Sequence, residues 1–321
     1  MRLSLTGLIA GLLAVFSIGA HAQSFPSKPV RIIVPTSVAT TSDLTGRFLA
    51  EQMARELGVG VVVENKSGAN GILGITDFLA APNDGHTLLL TNSSLYANPA
   101  LYRKVPYDPV KDFRILLGVN QVFLVLVASP TLNIKSVKQL IEYAKERPHQ
   151  VTYASAGVGS STHTGPELYA NRAGIKLRHI PYKGGAQAIA DVIGGHVDVA
   201  MTALPTAAPF IVSGKLTALA VTGPRRSSLL PDVLTLRESG VAGAEVTSKQ
   251  ALVAPIGIPD AAAATLTTAV MKILDTPEYA RFLAVNGIER ESMSPQAYSK
   301  IGPDELKRWT EMVELSGAKI D

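Results

Sequence analysis

The chain of 321 residues contains no cysteine, and this absence excludes several classes of protein. Without thiols there is no disulfide framework, no thiolate nucleophile, no thiolate metal site and no cysteine for a lipid anchor. Charged residues make up only 17% of the chain and are interleaved, with a formal net charge of +4, so no basic stripe indicates nucleic acid. With 46% hydrophobic residues, the chain is long enough to bury the cores of two domains.

The sequence motifs of common enzyme classes are also absent. There is no G-x-S-x-G elbow, no H-E-x-x-H and no Walker loop, and the G-V-G at residues 157–159 lacks the third glycine of a dinucleotide fingerprint. The histidines are scattered without the spacing of metal ligands. We therefore expect no cofactor and no metal. A nucleophile at Ser160 or Ser161 with His163 as its base is an open alternative, although no carboxylate orients so local a pair.

Residues 1–22 have the pattern of a secretory signal peptide. Met1 and Arg2 precede a nearly unbroken apolar run over residues 3–20, which ends in A-H-A, the small-x-small pattern of a signal peptidase site. We expect cleavage after Ala22 and a periplasmic protein. A membrane anchor is the alternative, but the run is barely long enough to span a bilayer and no stop-transfer flank follows it.

Beyond the signal peptide, strand-like apolar runs alternate with helical patterns. The strand-like runs lie at residues 30–34, 59–64, 87–91, 122–128, 177–180, 197–202, 216–221 and 250–255, with one more opening residues 151–163. Such regular alternation predicts an α/β fold with parallel sheets built from βαβ units. The runs at 122–128 and 250–255 are expected to cross between two domains, so a hinge joins residues 23–124 plus 246–321 to residues 125–245.

The stretch VTYASAGVGSSTH at residues 151–163 is the one most typical of a binding loop. A short strand breaks into glycines and hydroxyl side chains before a helix begins, and a helix N-terminus suits a carboxylate or another anion. An ordinary tight strand-to-helix turn would explain the same glycines. Polar residues also follow the strands that end at residues 34 and 91, where open α/β sheets bind their ligands.

Seven blocks of sequence, spread over essentially the whole mature chain, carry a resemblance to a known family. They are FPSKPVRIIVP at 25–35, VVVEN at 61–65, DGHTLLL at 84–90, NPALYRKVPYDPVKDF at 98–113, YASAGVGSSTH at 153–163, HIPYKG at 179–184 and GKLTALAVTGPRRSSLLPDV at 214–233. In these blocks the chain resembles the substrate-binding proteins of tripartite tricarboxylate transporters, the Bug receptors. The resemblance implies a type II periplasmic binding fold, two doubly wound α/β domains that close on a small organic acid in the cleft between them.

The resemblance also implies which residues hold the ligand. In the family, the loop after the first strand and the loop after YAS grip a ligand carboxylate from opposite domains, often through ordered water. The residues expected in the site are Thr36, Ala39, Thr40, Thr41, Asp43, Ser93, Ser94, Ser155, Ala156, Gly159, Ser160, Ser161, His163, Lys183, Gly184, Thr202 and Leu204. Three have a plain structural alternative: Asp43 is first a helix cap, His163 can satisfy a local carbonyl, and Lys183 can be a solvent-facing turn residue.

The first of these loops departs from the family pattern. Where the family usually has proline, two glycines and serine, residues 38–41 read VATT, so we expect a strained backbone and side chains at the mouth of the cleft. Thr202, Lys249 and Gln250 replace the usual aspartate and aromatic pair. We therefore expect a ligand of different outline from the common C4 dicarboxylates, and its identity stays open.

The function predicted from the sequence is a monomeric periplasmic receptor that delivers a carboxylate to the membrane subunits of a tripartite transporter. Two alternatives stay open: a secreted hydrolase, and a sensory receptor that presents its closed, liganded form to a signalling partner. A cleft that closes serves the transport receptor and the sensory receptor equally.

Overall fold

The computed structural model describes residues 25–291 and 293–320. The predicted signal peptide, residues 1–22, lies outside the described residues. The strands are β1 (Val30–Val34), β2 (Val61–Asn65), β3 (Thr87–Thr91), β4 (Phe113–Ala128), β5 (Thr152–Ser155), β6 (Arg178–Pro181), β7 (Val199–Ala203), β8 (Thr217–Val221), β9 (Thr247–Pro255) and β10 (Glu289–Arg290). The helices are α1 (Thr41–Leu57), α2 (Ile72–Leu79), α3 (Ser94–Leu101), α4 (Val137–Glu146), α5 (Ser161–Ala173), α6 (Gly185–Ile193), α7 (Leu204–Val212), α8 (Asp260–Leu274), α9 (Pro277–Asn286), α10 (Pro295–Tyr298) and α11 (Gly302–Ser316).

The strands join in the order β2-β1-β3-β9-β4-β7-β5-β6, and β8 and β10 also pair with β4. As predicted, β1 is parallel to β2 and β3, and β5 is parallel to β6 and β7. The predicted parallel pairing does not extend to the strands that connect the two parts of the sheet, because β9 runs antiparallel to both β3 and β4, and β4 runs antiparallel to β7 and β8. The strand that returns to the first sheet therefore arrives from the opposite direction.

Strand β4 begins at Phe113, well before the predicted start at residue 122, and it belongs to both parts of the sheet. Its residues through Phe123 pair with β9, whereas its residues from Leu124 pair with β7 and β8. We call residues 25–123 with 247–320 the first lobe, and residues 124–246 the second lobe. We propose that these lobes are the two predicted domains.

The C-terminal helix α11 packs against both lobes. It begins at Gly302, with Pro303 and Asp304 in its first turn, and ends before Gly317, whose φ of 62° suits a glycine cap. It contacts α3 of the first lobe and α5 of the second, and Arg172 of α5 forms an ion pair with Glu311 at 2.6 Å. Helix α11 is thus positioned to contribute to a site between the lobes. No helix within the described residues combines the length and the apolar character needed to cross a membrane.

Candidate functional site

A cleft of about 460 Å³ lies between the two lobes. Eight of the seventeen residues predicted for the site come together there, and they are Thr36, Thr40, Ser93, Ser94, Ala156, Gly159, Ser160 and Ser161. The lining also includes Ser37 and Asn92, which belong to the polar stretches that follow β1 and β3, and residues that the sequence did not point to, namely Pro35, Ser67, Gly68, Asn70, Gly71, Ala97, Ser248 and Trp309. None of these described lining residues carries a charge, so the cleft offers hydroxyl, amide and backbone groups to a ligand.

The threonine loop, residues 36–40, forms one wall of the cleft. The hydroxyls of Thr36 and Thr40 lie 2.8 Å apart, and Thr40 also donates to the carbonyl of Ser37. Ala39 has a φ of 62°, which is the strained left-handed backbone expected where the family has glycine. The Ala39 side chain is exposed and does not line the cleft. Of Ala39 and Thr40, the two residues at the family's glycine positions, only Thr40 lines the cleft.

Asp43 holds the threonine loop in place from below. It is not the helix cap that the sequence suggested, because Thr40 occupies the cap position and accepts a hydrogen bond from the Asp43 amide. The Asp43 carboxylate instead accepts from the Ala39 amide at 2.8 Å and pairs with Arg47 at 3.0 Å. Burial acts to raise the pKa of Asp43, but these hydrogen bonds outweigh it, so the pKa lies below its usual value. Asp43 thus stays ionised and does not line the cleft.

The serine loop, residues 156–161, forms the opposite wall. The Ser160 hydroxyl is used internally: it donates to the carbonyl of Gly157 at 2.7 Å and lies 2.8 Å from the hydroxyl of Thr162. The Ala156 amide donates to Thr162 Oγ1 at 2.8 Å. These contacts fix the loop before α5 begins at Ser161.

Gly159 brings the serine loop against the first lobe. Its φ is 78°, and a β-carbon built on it would lie 2.5 Å from Cδ2 of the buried Leu101 in α3. Both the backbone conformation and the close contact therefore require glycine at this position.

Behind the serine loop lies a stack of three rings that belong to Tyr153, His179 and His163. The two imidazoles are 4.0 Å apart, and Tyr153 stacks on His179 at 4.8 Å. His163 Nδ1 accepts a hydrogen bond from the Gly159 amide at 3.0 Å, and the Ser155 hydroxyl lies 2.6 Å from His179 Nε2. Burial, with the neighbouring His179 as a second cause, lowers the pKa of His163 to about 4. Ser155 and His163 are both buried and support the loop without lining the cleft.

The remaining predicted residues lie away from the cleft lining. Leu204 is fully buried in the core of the second lobe, Thr202 is buried in β7 opposite Val125, and Thr41 opens α1 beside the lining residue Thr40. Lys183 is exposed, and Gly184 caps α6 with an extended backbone. The loop that carries them adjoins the serine loop, since the Tyr182 amide donates to the carbonyl of Ser155 at 3.0 Å.

The family profile described as "Tripartite tricarboxylate transporter family receptor" matches residues 45–317. The chain belongs to this family. The recognition made from the sequence blocks is thereby confirmed. Protein BugT of Bordetella pertussis (strain Tohama I) is 33% identical over 301 residues, which cover 93% of this chain and 92% of BugT.

Solved structures of similar proteins confirm the predicted fold class of the receptor. A protein of R. palustris, Rpa4515 with adipate, has 30% identity and a TM-score of 0.81, and the match covers 92% of this chain and 100% of that one. MatC from Rhodopseudomonas palustris, with bound malate, has 28% identity and a TM-score of 0.76 over 90% of this chain and 100% of MatC. This receptor therefore has the α/β fold of periplasmic binding proteins.

Asn70 and Trp309 are two of the cleft residues that were not found from the sequence. Asn70 lies in a short 3-10 helix at Ala69–Gly71 with a left-handed φ of 51°, and its amide donates to Asn98 Oδ1 at 2.7 Å. An S-G-A-N-G stretch just after a strand was a usable signal for this turn. Trp309 lies on the apolar face of the last helix, far along the chain, and nothing local to its sequence points to a cleft.

Proposed function

We propose that this chain is a periplasmic solute-binding receptor that captures a small organic carboxylate in the cleft between its lobes and delivers it to the membrane subunits of a tripartite transporter. Membership of the receptor family supports the transport role. The adipate and malate named for the two R. palustris proteins support a carboxylate as the ligand.

The observation that carries this proposal is the convergence of three helix starts on one cleft. Helices α1, α3 and α5 begin at Thr41, Ser94 and Ser161, and each start is at or beside a residue that lines the cleft. Helix N-termini present backbone N–H groups and a positive partial charge, which suits an anion. Hydroxyl and amide groups beside them add hydrogen bonds, which are stronger when the acceptor is ionised. A carboxylate can therefore be bound without a lysine or arginine in the lining.

The same contacts argue against turnover of the bound ligand. Ser160 donates its hydroxyl proton to a carbonyl, and His163 Nδ1 is occupied by the Gly159 amide. Ser155 and His179 form a closer serine–histidine pair at 2.6 Å, but Ser155 is 1% exposed and does not line the cleft. An activated nucleophile must reach the substrate. We therefore propose that the protein binds its ligand without chemistry, as a monomer, and that closure of the lobes signals occupancy to the transporter.

A thermal-shift screen over dicarboxylates, tricarboxylates, amino acids and aromatic acids tests the binding proposal. A ligand at about one hundred times its dissociation constant adds about 2.7 kcal/mol to the native state, which is a clear rise of the unfolding midpoint. The best ligand is then incubated with the protein and analysed by mass spectrometry. The proposal predicts a midpoint rise with at least one acid and no product.

Matched variants separate cleft binding from surface effects. Ser161→Ala removes a hydroxyl from the cleft and should reduce the midpoint rise, whereas Ser213→Ala removes one from an exposed position after α7 and should leave it unchanged. No response to any acid would overturn the proposal. A product that disappears in Ser160→Ala/Ser161→Ala would favour the hydrolase alternative.

A further inference from the structure

Trp309 is the one large side chain among the described residues that line the cleft. The others are serine, threonine, asparagine, alanine, glycine and proline. Trp309 lines the cleft and is only 3% exposed, and we therefore call the part of the cleft that its indole ring lines the floor. Trp309 comes from α11, the helix that contacts both lobes.

An ion pair behind the floor fixes the position of this indole ring. Nε1 of Trp309 donates to Glu305 Oε2 at 3.2 Å, one helical turn earlier. The other carboxylate oxygen of Glu305 lies 2.6 Å from Nζ of Lys249, and the side chains of Lys249 and Glu305 are 21% and 11% exposed. One carboxylate therefore bridges a ring in α11 and an ammonium group in β9, and it leaves the ring no free hydrogen-bond donor.

The ion pair also sets the charge of the cleft floor. Lys249 and Glu305 line a second, much smaller cavity of about 10 Å³, and Asn92 and Ser93 line both this cavity and the cleft. Asn92 and Ser93 thus separate the Lys249 ammonium from the ligand space, and Glu305 neutralises its charge. A ligand carboxylate placed at the floor would meet an indole ring and a neutralised pair, and an ionised group buried without a partner is costly.

We propose that Trp309 is a specificity-determining residue that limits the length of the ligand, and that Lys249 and Glu305 are positioning residues for its ring. This inference rests on the proposed function. The ligand class it names is an organic acid whose carboxylate is bound by the hydroxyl-rich loops and whose opposite end is short and uncharged. The other described lining side chains are all small, so the indole is the one whose truncation would lengthen the cleft.

Calorimetric titration with two series of linear acids tests this proposal. One series is monocarboxylic, from propionate to octanoate, and the other is dicarboxylic, from succinate to suberate. The parent should prefer the shorter monocarboxylates. In Trp309→Ala the ratio of the dissociation constants for long and short acids should shift towards the long ones by about tenfold or more, the size of effect that a methylene has in a tight apolar pocket. Trp309→Phe should lie between the two.

The positioning role has its own variants and its own control. Lys249→Met keeps the Trp309 side chain but removes the ion pair that positions its ring, so it should weaken selection by length. Lys249→Arg keeps the ion pair and should retain that selection. Met312→Ala empties a buried position on the same helix that does not line the cleft, so it should lower stability and leave the ranking of acids unchanged. Because Trp309 is the single tryptophan of the chain, its emission should also change when a ligand binds.

The outcomes separate this inference from the proposed function. If the parent binds acids and all three proteins, the parent, Trp309→Ala and Met312→Ala, rank the acids in the same order, Trp309 does not limit ligand length. The receptor proposal then still stands. If the parent prefers dicarboxylates at every length, the proposal that the ligand end at the floor is uncharged is wrong. If a ligand binds and the Trp309 emission does not change, the proposed contact between the ligand and the indole ring is wrong. A parent that binds no acid at all overturns both proposals together.

Discussion

His163 and His179 stack with their ring centroids 4.0 Å apart and their planes 11° from parallel, directly behind the serine loop. Each ring contacts the loop or its strand, since His163 Nδ1 accepts from the Gly159 amide and His179 Nε2 lies 2.6 Å from the Ser155 hydroxyl. Protonation of His163 at Nδ1 would abolish its acceptor and place a charge against the neighbouring ring. The geometry of the loop therefore depends on a neutral His163.

We predict that acid destabilises the protein through His163. Its pKa falls from an ordinary 6.5 to about 4 in the folded state, chiefly through burial. Between these values the unfolded chain binds a proton that the folded chain does not, so the free energy of unfolding falls as the pH drops through this window. The contribution is complete above pH 6.5 and is lost as the pH approaches 4, at about 1.4 kcal/mol per unit of pKa difference.

Denaturant unfolding across this pH window measures the effect. His163→Asn, whose Oδ1 can replace Nδ1 as an acceptor, should show a shallower dependence of unfolding free energy on pH. His196→Gln changes an exposed histidine and serves as the control, which should keep the parent's slope. Equal slopes for all three proteins would contradict the assignment to His163.

Ala39→Gly should stabilise the protein without changing which acid it binds. A left-handed residue with a β-carbon costs about 1 to 2 kcal/mol, and glycine removes that cost at the φ of 62°. Because Ala39 does not line the cleft, the ranking of ligands should stay the same. The matched control is Ala264→Gly, at an exposed position inside α8, which should instead lower the unfolding free energy by about 1 kcal/mol. A loss of stability in Ala39→Gly would show that the loop does not relax as expected.

Thr40 combines a structural role with a binding role. Its hydroxyl caps α1 and also lines the cleft, so Thr40→Ala should lower the unfolding free energy by about 1 kcal/mol and weaken ligand binding. Thr40→Ser keeps the hydroxyl and should recover both properties. Denaturant unfolding and calorimetry on the same samples measure them separately. Full binding by Thr40→Ala would mean that the hydroxyl serves only the helix.

Gly159→Ala should be the most damaging single change in the serine loop. The left-handed φ of 78° costs about 1 to 2 kcal/mol, and the clash with Leu101 adds about 1 to 3 kcal/mol of unfolding free energy. Gly214→Ala gives the backbone term alone, because Gly214 has a φ of 73° and open space around its α-carbon. In Gly159→Ala/Leu101→Ala the clash is relieved, so the two changes should be non-additive. Strict additivity would contradict the close approach.

The sequence predicted the strands and the polar loops better than it predicted the whole site. Buried strands such as β3 are continuous apolar runs, so their positions are readable. The first part of β4 was missed because Asn120 and Gln121 interrupt the apolar pattern, although both are buried, and Asn120 donates to Thr45 at 3.1 Å. A buried polar side chain that bonds to a residue distant in sequence carries no local signal of burial.

The site was predicted only where its residues follow a strand directly. The threonine and serine loops meet because the carboxyl ends of their strands face the same cleft. Trp309 reaches that cleft only through the packing of α11, and Leu204 follows a strand but turns into the core. Sequence position relative to a strand does not determine which way a side chain points.

The position of β9 between β3 and β4 dictates the order in which the chain can fold. The sheet of the first lobe is continuous only when β9, residues 247–255, pairs with both β3 and β4. The second lobe, in contrast, is formed by one continuous segment of the chain. Pairing between segments so far apart in sequence is slow, because the loop between them must be closed first. We therefore expect the second lobe to fold within that loop and to bring β4 and β9 together, so that the first lobe forms last.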